Sequence, residues 1–494
     1  MILKRHSAQV LLFLATIASP LASASPWELA LDSEIGKRLT NAPENSWIKL
    51  NVNAFQDTWT PYDQRPKAPD SPSAGSPRQI IQAWSSMAWD SNRGDLIIWG
   101  GGHANYPGNE VYRWRAGSLQ WERASLPSEV VYVRPDIGSY EAIDGIYNAP
   151  IAAHTYDSSE FLPLSDRFIT FGGAAFNTGR YFEKEDGTRT GPYFWDPAKA
   201  DVNAVGGTYG SNVEPYIYSD VAGGQMWENR DNLQPPPGGD YTPGYGSASF
   251  INGSTAYAEE NGKDVLYIQV SGEIYRYVVN DLNDASMDSY ERLGRYRTYP
   301  FTGTGAGAYS PGQNIYVRTA RNIFTYWNLD NPGTNNENRI INPVQSNGIF
   351  PLSLLESFGL DYDPVRDRFL LWGGDNTPWE LQNPDDLASG QWTLEPLQTN
   401  SSPVPNSPLG QLCICGKWKY IAALDVFLGM IDQYEGQIWA YKPESWQPPV
   451  DEKIPGFFFE AGAFTLRARE FAHERLRPFL QGFRGCIFVL IFNK

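Results

Sequence analysis

The sequence predicts an all-β fold, a ring of four-stranded units forming a β-propeller of six or seven blades. Three observations carry this. Short apolar runs separated by turn signals recur at a spacing of about 45 residues, the length of one four-stranded blade. A glycine doublet ends the second run of three units, at Gly101-Gly102, Gly172-Gly173 and Gly373-Gly374. Aromatic residues make up 14% of the chain and are joined by 46 Gly and 37 Pro, a composition suited to strands and turns and ill suited to helices.

The chain opens with Lys4, Arg5 and His6 followed by an apolar run over 10–18, too short to span a bilayer. Ala22-Ser23-Ala24 has the small-x-small pattern of a cleavage site. Residues 1–24 therefore read as a signal peptide cut after Ala24, and the mature protein as secreted or periplasmic. Residues 25–82 read as an N-terminal segment holding one strand at 46–50 and a Pro/Ser/Asp-rich loop at 61–77.

The propeller is expected over 83–450. Its first unit has strands at 83–90, 96–102, 109–115 and 121–126. The second has 153–157, 167–173 and 193–197; the third 264–270 and 273–277; the fourth 305–309, 314–318 and 323–327. The fifth echoes the first most closely, at 359–363, 368–374 and 392–394; the sixth has 418–423, 426–431 and 437–441. Residues 202–240 have room for strands of a seventh unit. The sixth unit shows three strands before Pro448-Pro449. An exposed sheet edge invites pairing, so strand 46–50 is expected to pair with 437–441 and close the ring from the N-terminus. The tail, 451–494, departs in composition, with Phe457-Phe458-Phe459, scattered arginines and an apolar run too short for a membrane span.

The doublets, with an aromatic residue opening the fourth strand, resemble kelch-type propellers of the galactose-oxidase central-domain kind over about residues 83–448. The turn Gly100-Gly101-Gly102-His103-Ala104-Asn105-Tyr106-Pro107-Gly108-Asn109-Glu110 looks like that of secreted bacterial kelch-like propellers. The overall pattern is similar to propeller polysaccharide lyases of the ulvan-lyase kind, which implies His, Tyr and Arg acting at the channel mouth.

The net charge of −17 argues against a nucleic-acid partner, because phosphate binding needs a basic face. Cys413 and Cys415 lack the spacing of a zinc or redox motif and read as small apolar side chains on one side of a strand. No Gly-x-Ser-x-Gly elbow or phosphate loop is present. No cofactor is expected, and a structural metal ion remains compatible with the sequence.

Of four histidines only His103 and His154 fall in the propeller. In an antiparallel blade the start of the first strand and the loop between strands two and three share one face. His103 is expected in that loop of the first blade, and His154 at the start of the next. Asn177, Arg180 and Tyr181 lie in the matching loop of the second blade, Arg318 and Arg321 in that of the fourth, and Tyr106 and Asn109 flank His103. Arg230 lies within reach of the same face. Imidazole accepts a proton near neutral pH, a phenol delivers one, and guanidinium neutralises a carboxylate. This set suits β-elimination from a uronate polymer, with His103 or His154 as base, Tyr106 or Tyr181 as proton donor, and Arg180, Arg230 or Arg318 holding the acid group. The alternatives are a non-catalytic propeller that binds a ligand or protein, in which these histidines only brace their turns, and a glycosidase built on paired carboxylates. The expected partner is an extracellular polysaccharide or oligosaccharide, with no membrane span, and the protein reads as a monomer.

Overall fold

The computed structural model describes residues 33–66, 75–82, 84–102, 105–134, 139–176, 182–184, 188–208, 221–232, 250–270, 272–295, 303–333, 339–409 and 413–448. Six blades are seen among them, each built on a four-stranded antiparallel sheet. Blade 1 runs outward from Ser86–Asp90 through Asp95–Trp99 and Tyr112–Arg115 to Gln120–Arg123. The innermost strands of blades 2 to 6 are Ser159–Leu162, Ser254–Glu260, Gly307–Ser310, Gly359–Asp363 and Trp418–Ile421. Each innermost strand packs beside the next, and the sixth packs beside the first. A short parallel strand, Val344–Gln345, widens blade 5.

The expected pairing of the early strand is present. Ser46–Lys49 lies antiparallel to Gln437–Lys442, with Trp47 opposite Tyr441, and supplies the outer strand of blade 6. The stretch 202–240 holds no seventh blade among its described residues: Trp227–Asn229 is the outer strand of blade 2.

The burial of each strand follows its position. Second strands are packed on both faces by neighbouring blades, so Asp95–Trp99, Arg368–Trp372 and Val426–Ile431 are buried at every residue. Their sequences accordingly read as apolar runs without alternation. Indoles fill the wedges between blades: Trp372 lies 5.0 Å from both Trp47 and Trp418 with its ring tilted against each, and all three rings are buried. The hairpins joining first and second strands carry a repeated latch. Arg93 binds Asp90 of its own hairpin at 3.1 Å and Asp166 of blade 2 at 2.5 Å. Arg366 repeats this with Asp363 at 3.1 Å and Asp425 of blade 6 at 2.8 Å.

Two expectations are corrected. Ala153–His154 is not the first strand of blade 2; it pairs with Ala174–Ala175 in a separate two-stranded ribbon, and the blade begins at Ser159. Cys413 and Cys415 are joined by a disulfide, with Cα atoms 5.2 Å apart, in place of two unlinked side chains on a strand. Cys415 has a left-handed φ of +45°, so the chain turns there and brings the two sulfurs together. The tail, 451–494, lies outside the described residues.

Candidate functional site

The site is built where blades 6, 1 and 2 meet at the start of their innermost strands. The second strand of blade 1 ends in Gly100, Gly101 and Gly102, whose φ angles are +148°, +135° and +66°. A Cβ on Gly102 would meet the Ala153 Cα at 2.5 Å. Only glycine lets the turn pass this close to the ribbon. The turn then folds back, with the Asn105 amide bonded to the Gly102 carbonyl at 2.8 Å.

This places the Asn105 side-chain nitrogen 2.8 Å from His154 Nε2. With the amide nitrogen facing the ring, this contact calls for an accepting Nε2, the arrangement of a neutral ring with its proton on Nδ1. The His154 ring lies 5.0 Å from the Trp84 indole and 6.1 Å from the Tyr156 ring. Trp84 and Tyr156 are both in the left-handed region, with φ of +48° and +53°. Such backbone costs about 1–3 kcal/mol per residue and gathers at functional sites. The Tyr156 amide donates to the Trp84 carbonyl, fixing the two distortions together. His154 is buried, whereas the indole above it is 42% exposed. Burial also pushes the Tyr156 phenol up to about 12.

Below this lies a charged axis drawn from several blades. The Lys419 ammonium is 3.0 Å from Glu160 and 3.8 Å from Asp157. The Thr255 hydroxyl donates to Glu160, and Asp157 accepts the Gly307 amide at 2.7 Å. Asp361 accepts the amides of Tyr420 and Tyr362. Burial drives the Asp157 carboxyl up to about 8 against the pull of Lys419, and the Asp361 carboxyl up to about 6 for the same reason. Lys417, fully buried and bonded to the Ser85 carbonyl at 2.9 Å, is lowered by desolvation to about 7. Lys419 moves the other way, because its carboxylate neighbours outweigh the burial that opposes them.

The structure disperses most of the expected set. Tyr106 is buried in the core and donates its hydroxyl to Glu110 at 2.9 Å. Asn109 is a buried brace, donating to the Pro150 carbonyl and accepting from the Ser128 amide. Arg230 follows the outermost strand of blade 2, far from the innermost ring in strand order, and is held by Asp288 and Glu228. Arg318 is buried on the second strand of blade 4 and donates to the Asn252 carbonyl. Arg321 is exposed at the hairpin turn of that blade. His103, Asn177, Arg180 and Tyr181 lie outside the described residues. Of the described nominees only His154 stands in the assembled site. Trp84, Asn105, Asp157, Glu160, Asp361 and Lys419 were not anticipated; the doublet of Lys417 and Lys419 in a strand opening was the one signal available.

Among the described residues, no group of three or more His, Cys, Asp or Glu side chains is arranged to hold a metal ion. No helix there is long and apolar enough to cross a membrane.

No family model matches the chain, and no curated relative matches it. Solved structures do. An α-L-arabinanase of Penicillium chrysogenum complexed with arabinobiose is similar at 13% identity and a TM-score of 0.39, over 74% of this chain and 95% of that one. A GH93 α-L-arabinofuranosidase of Fusarium graminearum with arabinobiose is similar at 12% identity and 0.37, over 80% and 98%. An auxiliary nutrient-binding protein of Bacteroides thetaiotaomicron is similar at 9% identity and 0.37, over 80% and 75%. These likenesses are too distant to carry a residue or an activity across.

Proposed function

We propose that this is an exported carbohydrate-active propeller that receives a glycan at the face carrying Trp84. The observation that carries the reading is the half-exposed Trp84 indole, held in a strained backbone and backed by His154, whose Nε2 is bonded in turn to the Asn105 amide. A fixed aromatic ring beside a polar amide is how a protein holds the apolar face and the hydroxyl edge of a sugar together.

Hydrolysis of a glycosidic bond is the reaction this reading favours. Hydrolysis uses one carboxyl that gives a proton and one that stays ionised. Asp361, half-buried with a carboxyl lifted to about 6, suits the first role. Glu160 is buried and held by the Lys419 ammonium and the Thr255 hydroxyl, so the second carboxyl is left unassigned among the described residues. β-Elimination from a uronate draws less support, since Arg230 and Arg318 are bonded within the fold and Tyr106 is buried. Its remaining participants would be His103 or His154, Tyr181 and Arg180.

The signal peptide over 1–24, the kelch affiliation and ring closure by strand Ser46–Lys49 belong to the same proposal. The antiparallel register of that strand with Gln437–Lys442 supports the last. The test is a panel of neutral, acidic and amino-substituted oligosaccharides, followed for new reducing ends and for the ultraviolet absorbance of unsaturated uronates. New reducing ends without that absorbance are expected. The absorbance would establish elimination, and binding without turnover would make the protein a recognition module.

A further inference from the structure

The cross-link between Cys413 and Cys415 lies in the turn that leads into Trp418–Ile421, the innermost strand of blade 6. This turn ties three blades together. The Gly416 amide donates to the Tyr156 carbonyl, at the entry to blade 2, at 3.3 Å, and the Gly416 carbonyl accepts the Met87 amide of blade 1 at 2.9 Å. The turn has no slack, since a Cβ on Gly416 would collide with the Ser86 side chain and the Asp157 carboxyl. Cys415 is held at a left-handed φ of +45°, a region a residue with a side chain occupies only under constraint. The Tyr156 amide in turn donates to the Trp84 carbonyl, so two hydrogen bonds join the turn to the exposed indole. Cys413 is half-buried and Cys415 fully buried. Their sulfurs lie 3.9 Å and 3.5 Å from one acceptor, the Glu356 carbonyl. Disulfide sulfurs have no proton to offer that oxygen, whereas thiols do, so the reduced pair has a partner already in place.

Resting on the reading that the face carrying Trp84 receives a glycan, we infer that Cys413 and Cys415 form a redox site that sets the affinity of that face, high with the disulfide closed and low with it open. The reductant is a thiol. Its thiolate attacks the Cys413 sulfur, the more accessible of the two, and the S–S bond breaks with its electron pair leaving on Cys415, which takes up a proton. A second thiol then displaces Cys413 from the mixed disulfide. Two thiols are thereby oxidised to one disulfide, and the protein gains two electrons and two protons. Once uncoupled from Cys413, Cys415 leaves the left-handed region and carries Gly416 with it. The bonds from Gly416 to Tyr156 and Met87 are lost, and Tyr156 no longer holds Trp84 in place.

Peptide mapping of the full chain is expected to find Cys413 joined to Cys415; free thiols at both positions overturn the inference. The oxidised and the dithiothreitol-reduced protein are then titrated calorimetrically with cellohexaose, xylohexaose, chitohexaose and hexagalacturonate. The hexasaccharide that the oxidised form takes is expected to bind about tenfold more weakly after reduction and to recover on reoxidation. Cys413→Ser combined with Cys415→Ser should bind as the reduced protein does and ignore the reductant, while Cys486→Ser should respond as wild type. Hydrogen exchange separates a local switch from a loss of fold. Exchange at Met87, Tyr156 and Gly416 should rise on reduction while Lys263–Val270, the second strand of blade 3, stays protected. A rise in both places makes the cross-link a structural brace, and an affinity unchanged by reduction makes it idle; either result overturns the inference and leaves the glycan reading standing. Absence of binding of all four hexasaccharides by the oxidised form overturns both.

Discussion

Replacing Lys419 with Met isolates what holds the axis of the ring. The substitution keeps the stem as far as Cε and removes the ammonium that lies 3.0 Å from Glu160 and 3.8 Å from Asp157. Both acids are buried, so water cannot take over from the lost cation. Removing one partner of a buried ion pair costs about 3–5 kcal/mol, mostly because the other charge is left uncompensated. Unfolding entropy of about 2.1 cal/mol/K per residue over roughly 400 propeller residues gives about 0.8 kcal/mol/K, so the melt should fall by about 4–6 °C. Glu160 keeps the Thr255 hydroxyl, which puts the expectation nearer the lower bound. The assay is urea and thermal unfolding of wild type, Lys419→Met, Glu160→Gln and the double variant. The double variant should regain most of the loss, since an apolar side chain and a neutral amide need no cation. A cost under about 1 kcal/mol for the single change, or a double variant no better than the sum of the singles, would refute the reasoning.

Three further outcomes follow from the same geometry. Asp157 titrates higher in the folded chain than in the unfolded one, so it favours folding at low pH and loses that advantage as pH rises from about 4 to about 8. The stability difference between wild type and Asp157→Asn should therefore fall with rising pH across that window, by at most about 1.4 kcal/mol per pH unit; a flat or rising difference would contradict it. Trp84→Gly relieves a left-handed backbone at an exposed ring, so its melt should match or exceed that of wild type while glycan affinity drops at least tenfold; unchanged affinity would remove Trp84 from the site. In nitrogen NMR at neutral pH, His154 should show its proton on Nδ1, as the Asn105 donor requires, and Asn105→Ala should release that restriction; a protonated Nε2 in wild type would show that the amide presents its oxygen.

Much of the architecture is legible because it is written one strand at a time. Leu96-Ile97-Ile98-Trp99 and Phe369-Leu370-Leu371-Trp372 announce strands buried on both faces, and the structure packs them so. The pairing of 46–50 with 437–441 was readable because the sixth unit lacked a strand and the early segment had one to give. The Asp-x-x-Arg hairpins at Asp90 and Asp363 went unread, since the second acid bound by each arginine belongs to the next blade. Reading 153–157 as a blade strand failed for a related reason. Two residues of strand composition fit a ribbon as well as a blade, and only the partner, Ala174–Ala175, decides between them. Arg230 and Arg318 were misjudged because sequence shows a charge and not its partner: Arg230 is bonded to Asp288 and Glu228, and Arg318 to the Asn252 carbonyl.

The sequence by itself determined the strands, their grouping into blades and the glycine turns, because each follows from apolar periodicity and backbone sterics within a few residues. The tertiary structure alone decided the site. Trp84, Asn105 and His154, and likewise Glu160 and Lys419, are far apart in the chain and meet only when the ring forms. Their exposure and their charge states depend on that meeting, since burial and the nearest counter-charge set both, and neither is a property of any residue taken alone.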